Sequence, residues 1–283
     1  MTSRLVVLVS VLLLAACSGA GASPSPSAAA SVAPTTAAYV SAAPSAEPVE
    51  LTIYGAASLK GALEAAKAAY ETAYPGTTVT LSTGSSAALE TQIEQGAPAD
   101  VFLSADTTNP KKLVDAGLAD GAAVTFAGNE LTVIVPTDNP AGITSPKDLA
   151  RSGVKVIAAG DEVPITKYAT QLVDNLAKEA GYPADFAAKY TANIASKEED
   201  VKSVVAKIEI GEGDAGIVYV TDAKASTKVT TIDVPPSANV PATYAGVVVK
   251  ASKNAAAAKA FLDWFAGPDG QAILSSFGFQ PPS

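Results

Sequence analysis

Histidine is absent from all 283 residues, and cysteine occurs once, as Cys17. Without histidine the chain cannot assemble a Ser-His-Asp or Cys-His nucleophile, and it lacks the commonest ligand of transition metals. One cysteine leaves no structural disulfide and no cysteine-based zinc site. Hydroxyls and carboxylates remain. Ser58 and Lys60 sit too close together for the S-x-x-K spacing of a Ser-Lys nucleophile. Asp100, Asp106 and Asp214 stand at turns, where aspartate is common for its own hydrogen-bonding reasons, so they are read as turn residues rather than metal ligands. Ser58 and Ser86 fall where a strand gives way to a helix. A serine there can cap the helix, or it can stand beside unpaired backbone N–H groups that favour an anion. Tyr219, in Gly-Ile-Val-Tyr, can be a strand aromatic packed on a helix.

Such residues need a frame. From Leu51 onward, apolar β-rich runs alternate with alanine-rich helical stretches. Strands are expected over 51–56, 78–83, 100–105, 131–136, 154–160, 214–220, 228–235 and 242–250. Helices are expected over 58–74, from about Ser86 to Gly96, over 109–117, in SPKDLA, and over 165–181, 198–213, 255–267 and 268–278. This alternation implies an α/β fold with parallel sheets covered on both faces. Ligands in such sheets collect beyond the C-terminal strand ends. No repeat of 20–50 residues is visible. LTVIVP and the segment before ATYAGVVVK read as crossings between two lobes, which together make a clamp able to close on a ligand. KAFLDWF reads as core packing.

The first 48 residues look different. Arg4 precedes an apolar run from Leu5 to Ala16, shorter than the ~20 residues that span a bilayer, so residues 1–16 read as a secretory signal. Leu14-Ala15-Ala16-Cys17 resembles a bacterial lipobox, which makes Cys17 the expected lipidation site. Residues 17–48 continue as Ala, Ser, Pro and Thr and are expected to form a disordered tether. The formal charge is -9; without residues 1–16, whose only charge is Arg4, 18 basic residues face 28 acidic ones, or -10. Nucleic-acid binding is therefore not expected.

From Ala56-Ala57-Ser58-Leu59 onward the chain resembles the periplasmic molybdate-binding proteins of ABC importers. The likeness runs over residues 49–283 through YGAASLKGAL, STGSSAALETQIEQGAPADVFLSAD, GNELTVIVP, GDEVPITKYA, EEDVKSVVAKIEIGEGDAGIVYVTDA and FLDWFAGPDGQAILSSFGF, in that order. The resemblance implies a type II periplasmic-binding-protein architecture: two Rossmann-like lobes with mixed, mainly parallel sheets joined by two crossing segments. Lobe I would take residues 49–130 plus 242–283, and lobe II residues 131–241. It also implies a tetrahedral dianion, molybdate or tungstate, held by neutral donors alone. Carried over by position, Ser58 and Ser86 would give hydroxyl and backbone N–H. Ile165 and Val201 would give backbone N–H only, and Tyr219 its phenol. The family usually has Ala-Gly after the Val-Pro where this chain has Ile165-Thr166. A main-chain donor survives any side chain except proline, and Thr166 could add a hydroxyl.

The chemistry suits those residue types. Four helix N-termini and three hydroxyls offer seven or more donors without a cation. At ~1.5–3 kcal/mol for each hydrogen bond to a charged group, they would exceed the about -8 kcal/mol of micromolar binding after association costs. A donor-only site with no carboxylate nearby favours ions fully ionised at neutral pH. The expected protein is a monomeric solute-binding lipoprotein, held by Cys17 on the outer face of the cytoplasmic membrane. It has no cofactor or catalytic metal and serves an ABC permease. The alternatives are a receptor for sulfate or another tetrahedral oxyanion, an exported hydrolase, and an adhesive surface lipoprotein.

Overall fold

The computed structural model describes residues 48–282. The expected signal, Cys17 and nearly all of the tether lie outside the described residues.

Two five-stranded sheets organise the chain. The first contains β1 (Val49–Ala56), β2 (Thr77–Gly84), β3 (Val101–Ser104), β4 (Val124–Asn129) and β10 (Ala242–Val248), in the order β2-β1-β3-β10-β4. The second contains β5 (Leu131–Pro136), β6 (Val156–Ala159), β7 (Ile194–Glu198), β8 (Ala215–Tyr219) and β9 (Val229–Ile232), in the order β7-β6-β8-β5-β9. Each sheet has one strand running against the other four: β10 is antiparallel to β3 and β4, and β5 to β8 and β9. The reversed strand is in each case the one by which the chain arrives from the other sheet. The two sheets thus share one plan, a repeat that the side chains do not reveal.

Burial follows sheet position. Every residue of β3, β5 and β8 is buried, as expected for inner strands with helices on both faces. The edge strand β7, IASKE, has no fully buried residue. Helices α1 (Lys60–Ala73), α2 (Ser86–Glu94) and α3 (Thr108–Asp115) belong to the first half, with α8 (Ala255–Ala266) and α9 (Pro268–Ser276) closing it. Helices α4 (Pro164–Leu176), α5 (Phe186–Ala192), α6 (Val201–Glu209) and α7 (Val220–Lys224) belong to the second. Phe261, Leu262 and Phe265 of KAFLDWF are buried in the core.

The expectations err in a few places. Strands β4 and β7 and helices α5 and α7 were not anticipated, and the stretch read as one helix over 198–213 begins only at Val201. SPKDLA forms a 3-10 turn, Pro146–Ala150, with Ser145 and Asp148 completing a capping box. The first helix starts as a 3-10 turn, Ala57–Leu59.

The crossings are short and stitched together. The chain passes from β4 to β5 through Glu130 alone and returns ahead of β10 at Asn239-Val240-Pro241. Asn239 Oδ1 accepts from the Leu131 N–H at 3.1 Å, and its Nδ2 donates to the Leu131 carbonyl at 2.9 Å. One side chain on the return crossing thus holds both backbone groups of the first residue beyond the outgoing one.

Candidate functional site

Five strand ends converge on one small cleft between the halves. Residues Ser58, after β1, and Ser86, after β2, face Ile165, after β6, Val201, after β7, and Tyr219, the last residue of β8. The corresponding strands of the two sheets contribute equivalent turns, as the shared strand order requires. The cleft is small, and its lining contains neither lysine nor arginine. A side chain on Gly55 would meet Leu63 Cδ1 at 2.2 Å. Glycine there lets α1 pack close against the end of β1 and sets the height of the turn carrying Ser58.

Neither serine is a cap. Ala56 precedes the turn that holds Ser58, and Ser85, not Ser86, is the N-cap of α2; neither position makes a side-chain cap bond. Ser86 Oγ accepts from the Ala105 N–H at 3.1 Å. Ser58 Oγ lies 2.9 Å from the hydroxyl of Tyr244 on β10. The capping explanation therefore fails for both, and both side chains are buried.

Ile165 is the second residue of α4, behind Pro164, and Val201 is the first of α6, behind Asp200. Helix geometry gives those amides no intrahelical acceptor, and each helix adds its partial positive end. Thr166 contributes nothing to the cleft. Its hydroxyl turns back to the carbonyls of Ala159 and Gly160, at 3.1 and 2.8 Å, which lie within reach of a threonine in the first turn of the helix.

Tyr219 is buried at 1% exposure, yet its hydroxyl has no hydrogen-bond partner among the described residues. A buried hydroxyl left unpaired costs ~1–3 kcal/mol. Its ring packs edge-on to Tyr168 and Tyr244. Burial, then the neighbouring Tyr244 and Tyr168, hold its pKa well above the usual phenol value, so it stays a donor throughout the physiological range.

One carboxylate does border the cleft, contrary to the donor-only expectation. Asp200 is the N-cap of α6, and its Oδ1 accepts from the Ser203 N–H at 2.8 Å. Two lysines of the helices beside it are paired: Lys202 stands 2.8 Å from buried Asp222, and Lys167 stands 3.9 Å from Asp106. Asp100, Asp106 and Asp214 lie at separate turns and accept local hydrogen bonds: Asp100 from Thr52 N–H, Asp106 from Asn109, Asp214 from Lys155 N–H. The arrangement offers a small ion several neutral donors.

Sequence reasoning missed Tyr244 and Asn129. Both are buried. Asn129 Nδ2 donates to Thr221 Oγ1 at 2.8 Å and to the Tyr244 hydroxyl at 3.4 Å.

Residues 51–280 match the model of the bacterial extracellular solute-binding protein family. The molybdate-binding protein ModA of Mycobacterium tuberculosis is 34% identical over 233 residues, covering 82% of this chain and 85% of the relative. YvgL of Bacillus subtilis, described as an ABC transporter substrate-binding lipoprotein, is 34% identical over 233 residues, covering 82% and 86%. Among solved structures, the Azotobacter vinelandii periplasmic molybdate-binding protein superposes with a TM-score of 0.70 at 26% identity, covering 82% of this chain and all of the other. The chain belongs to the bacterial extracellular solute-binding proteins and to the ModA family.

Proposed function

We propose that this protein captures molybdate or tungstate between its two lobes and delivers it to a membrane ABC importer, with no bond made or broken in the ion. The observation that carries this reading is the buried, unpartnered hydroxyl of Tyr219 beside a cleft of helix N-termini that has no basic side chain. A doubly charged ion in that cleft can receive hydrogen bonds from Ser58, Ser86, Ile165, Val201 and Tyr219. It would satisfy the orphan phenol and the helix-end amides together. The names of the relatives supply the same ligand class independently.

Selectivity follows from hydrogen-bond direction. Ser86 Oγ already accepts from Ala105 N–H, so its proton is free to point at the ion. Asp200, the one carboxylate at the rim, gives its Oδ1 to the Ser203 amide as the cap of α6. The hydroxyls and helix-end amides suit an ion with four acceptor oxygens and no proton. Hydrogen phosphate would bring a donor that needs an acceptor. Residues 1–16 would act as the export signal, a lipid on Cys17 as the anchor outside the cytoplasmic membrane, and residues 17–48 as the tether. The description of YvgL supports that placement. A monomer suffices, because one chain supplies every donor.

Isothermal titration with molybdate, tungstate, sulfate and phosphate in parallel tests the reading. Molybdate and tungstate should bind at micromolar concentration or below, and phosphate far more weakly. Preference for sulfate over both metal oxyanions would reassign the ligand. No heat with any of the four would remove the reading.

A further inference from the structure

The Ser58 hydroxyl has one proton, and a buried chain of hydrogen bonds decides where it points. The chain starts at the crossing between the lobes. Asn129 Oδ1 accepts from the Glu130 N–H at 3.0 Å, which fixes the orientation of the amide, because an amide nitrogen cannot accept. Its Nδ2 must then supply both remaining bonds, to Thr221 Oγ1 and to the Tyr244 hydroxyl. Tyr244 accepts from Asn129, so its own proton is left for its other partner, Ser58 Oγ at 2.9 Å. With that lone pair occupied, the Ser58 proton is directed away from Tyr244, toward the cleft that Ser58 lines. All four side chains are buried, at 6% exposure or less, so water does not compete for the bonds and the sequence of donors holds.

We infer that Tyr244 is a positioning residue for ligand capture: by donating to Ser58 Oγ it makes Ser58 an obligate donor to the bound oxyanion. The inference rests on the capture reading above and extends it from the residues that touch the ion to one that does not. It pairs Ser58 with Ser86, whose oxygen is occupied by a backbone amide instead. Both hydroxyls of the first lobe are thereby committed as donors, one by a main-chain group and one by a phenol. The relay also reaches both lobes, since Thr221 lies on α7 of the second half and Tyr244 on β10 of the first.

A double-mutant cycle reads the relay directly. Tyr244→Phe keeps the ring among Phe126, Tyr219 and Phe279 and removes only the hydroxyl, so the fold is expected to survive. Molybdate affinity is measured by titration calorimetry for the wild type, Tyr244→Phe, Ser58→Ala and the double variant, with apo melting temperatures alongside. Tyr244→Phe should weaken binding by about threefold in the wild-type background, because the Ser58 hydroxyl keeps the ion as its acceptor but loses the donor that orders its proton. In the Ser58→Ala background it should weaken binding by less than about twofold, because its target is gone. Asn129→Ala, which leaves both hydroxyls but lets Tyr244 accept from Ser58, should give a loss of about threefold or more, again only with Ser58 present. An equal loss in both backgrounds, or no loss, would overturn the relay and leave the capture reading intact. No binding by the wild type would overturn both.

Discussion

Asp106 on the first lobe and Lys167 on the second stand 3.9 Å apart across the cleft, carboxylate to ammonium. One residue further along α4, the hydroxyl of Tyr168 meets the backbone of Thr243, again on the opposite lobe. Burial pushes the Tyr168 phenol up to about 12, against the pull of that backbone bond, and nearby Asp106 adds to the rise. Both contacts join the two halves of the fold.

The ion pair is a weak latch. Lys167 is 44% exposed, which limits the pair to ~0–1 kcal/mol. Lys167→Ala is expected to weaken molybdate capture by at most about fivefold. The deficit should shrink in about 1 M salt, where the screening length falls to ~3 Å. Titration at two salt concentrations checks this. A much larger loss that salt does not alter would mean that Lys167 acts on the ion itself.

Tyr219→Phe should move stability and affinity in opposite directions. The apo protein loses an unpaired buried hydroxyl, so its melting temperature should stay level or rise by a few degrees. Molybdate affinity should drop by about tenfold or more, the equivalent of one hydrogen bond to a charged group. Unchanged affinity would take the phenol out of the site.

Ser86→Ala should lower both quantities. Capture weakens by about tenfold. The Ala105 amide also loses its acceptor, costing ~1 kcal/mol, which is roughly 2–4 °C in melting temperature for a domain of this size. A stability loss with affinity intact would confine Ser86 to holding Ala105.

The capping box at Asp148 gives a pH signature far from the cleft. Burial raises that carboxyl, but bonds from the Thr144 and Ser145 amides and the Thr144 hydroxyl, with the charge of Arg151, outweigh it and hold the pKa below the usual aspartate value. A depressed folded-state pKa stabilises above the unfolded value of 3.8, and that stability is lost as pH falls through the folded-state pKa. Asp148→Asn should therefore melt below the wild type at pH 7, by the ~0.5–1 kcal/mol typical of a cap. The two curves should converge under acid, below pH ~4. A gap that persists there would assign the loss to packing instead.

Much of this site was legible because its pieces are local. Ser58, Ser86, Ile165 and Val201 each follow a strand and open a helix within a few residues, a pattern visible in a short window. What escaped depends on distance. Tyr244 looks like any strand aromatic, since its partner Ser58 is 186 positions away. β4 has only VTFAGN to announce it and is held by pairing with β10, more than a hundred residues later. IASKE in β7 carries the charges of an exposed edge strand, and its glutamate blends into the helix that follows. Asp200 was legible as a cap, but its place on the rim required the second lobe to be folded against the first.

A crystal of the protein grown with molybdate, with the metal located by its anomalous scattering, tests the central claim most directly. The metal should lie between the lobes with an oxygen within hydrogen-bond reach of the Tyr219 hydroxyl and the others near Ser58, Ser86 and the amides of Ile165 and Val201. A cleft without metal, or an ion held elsewhere by lysine or arginine side chains, would contradict it.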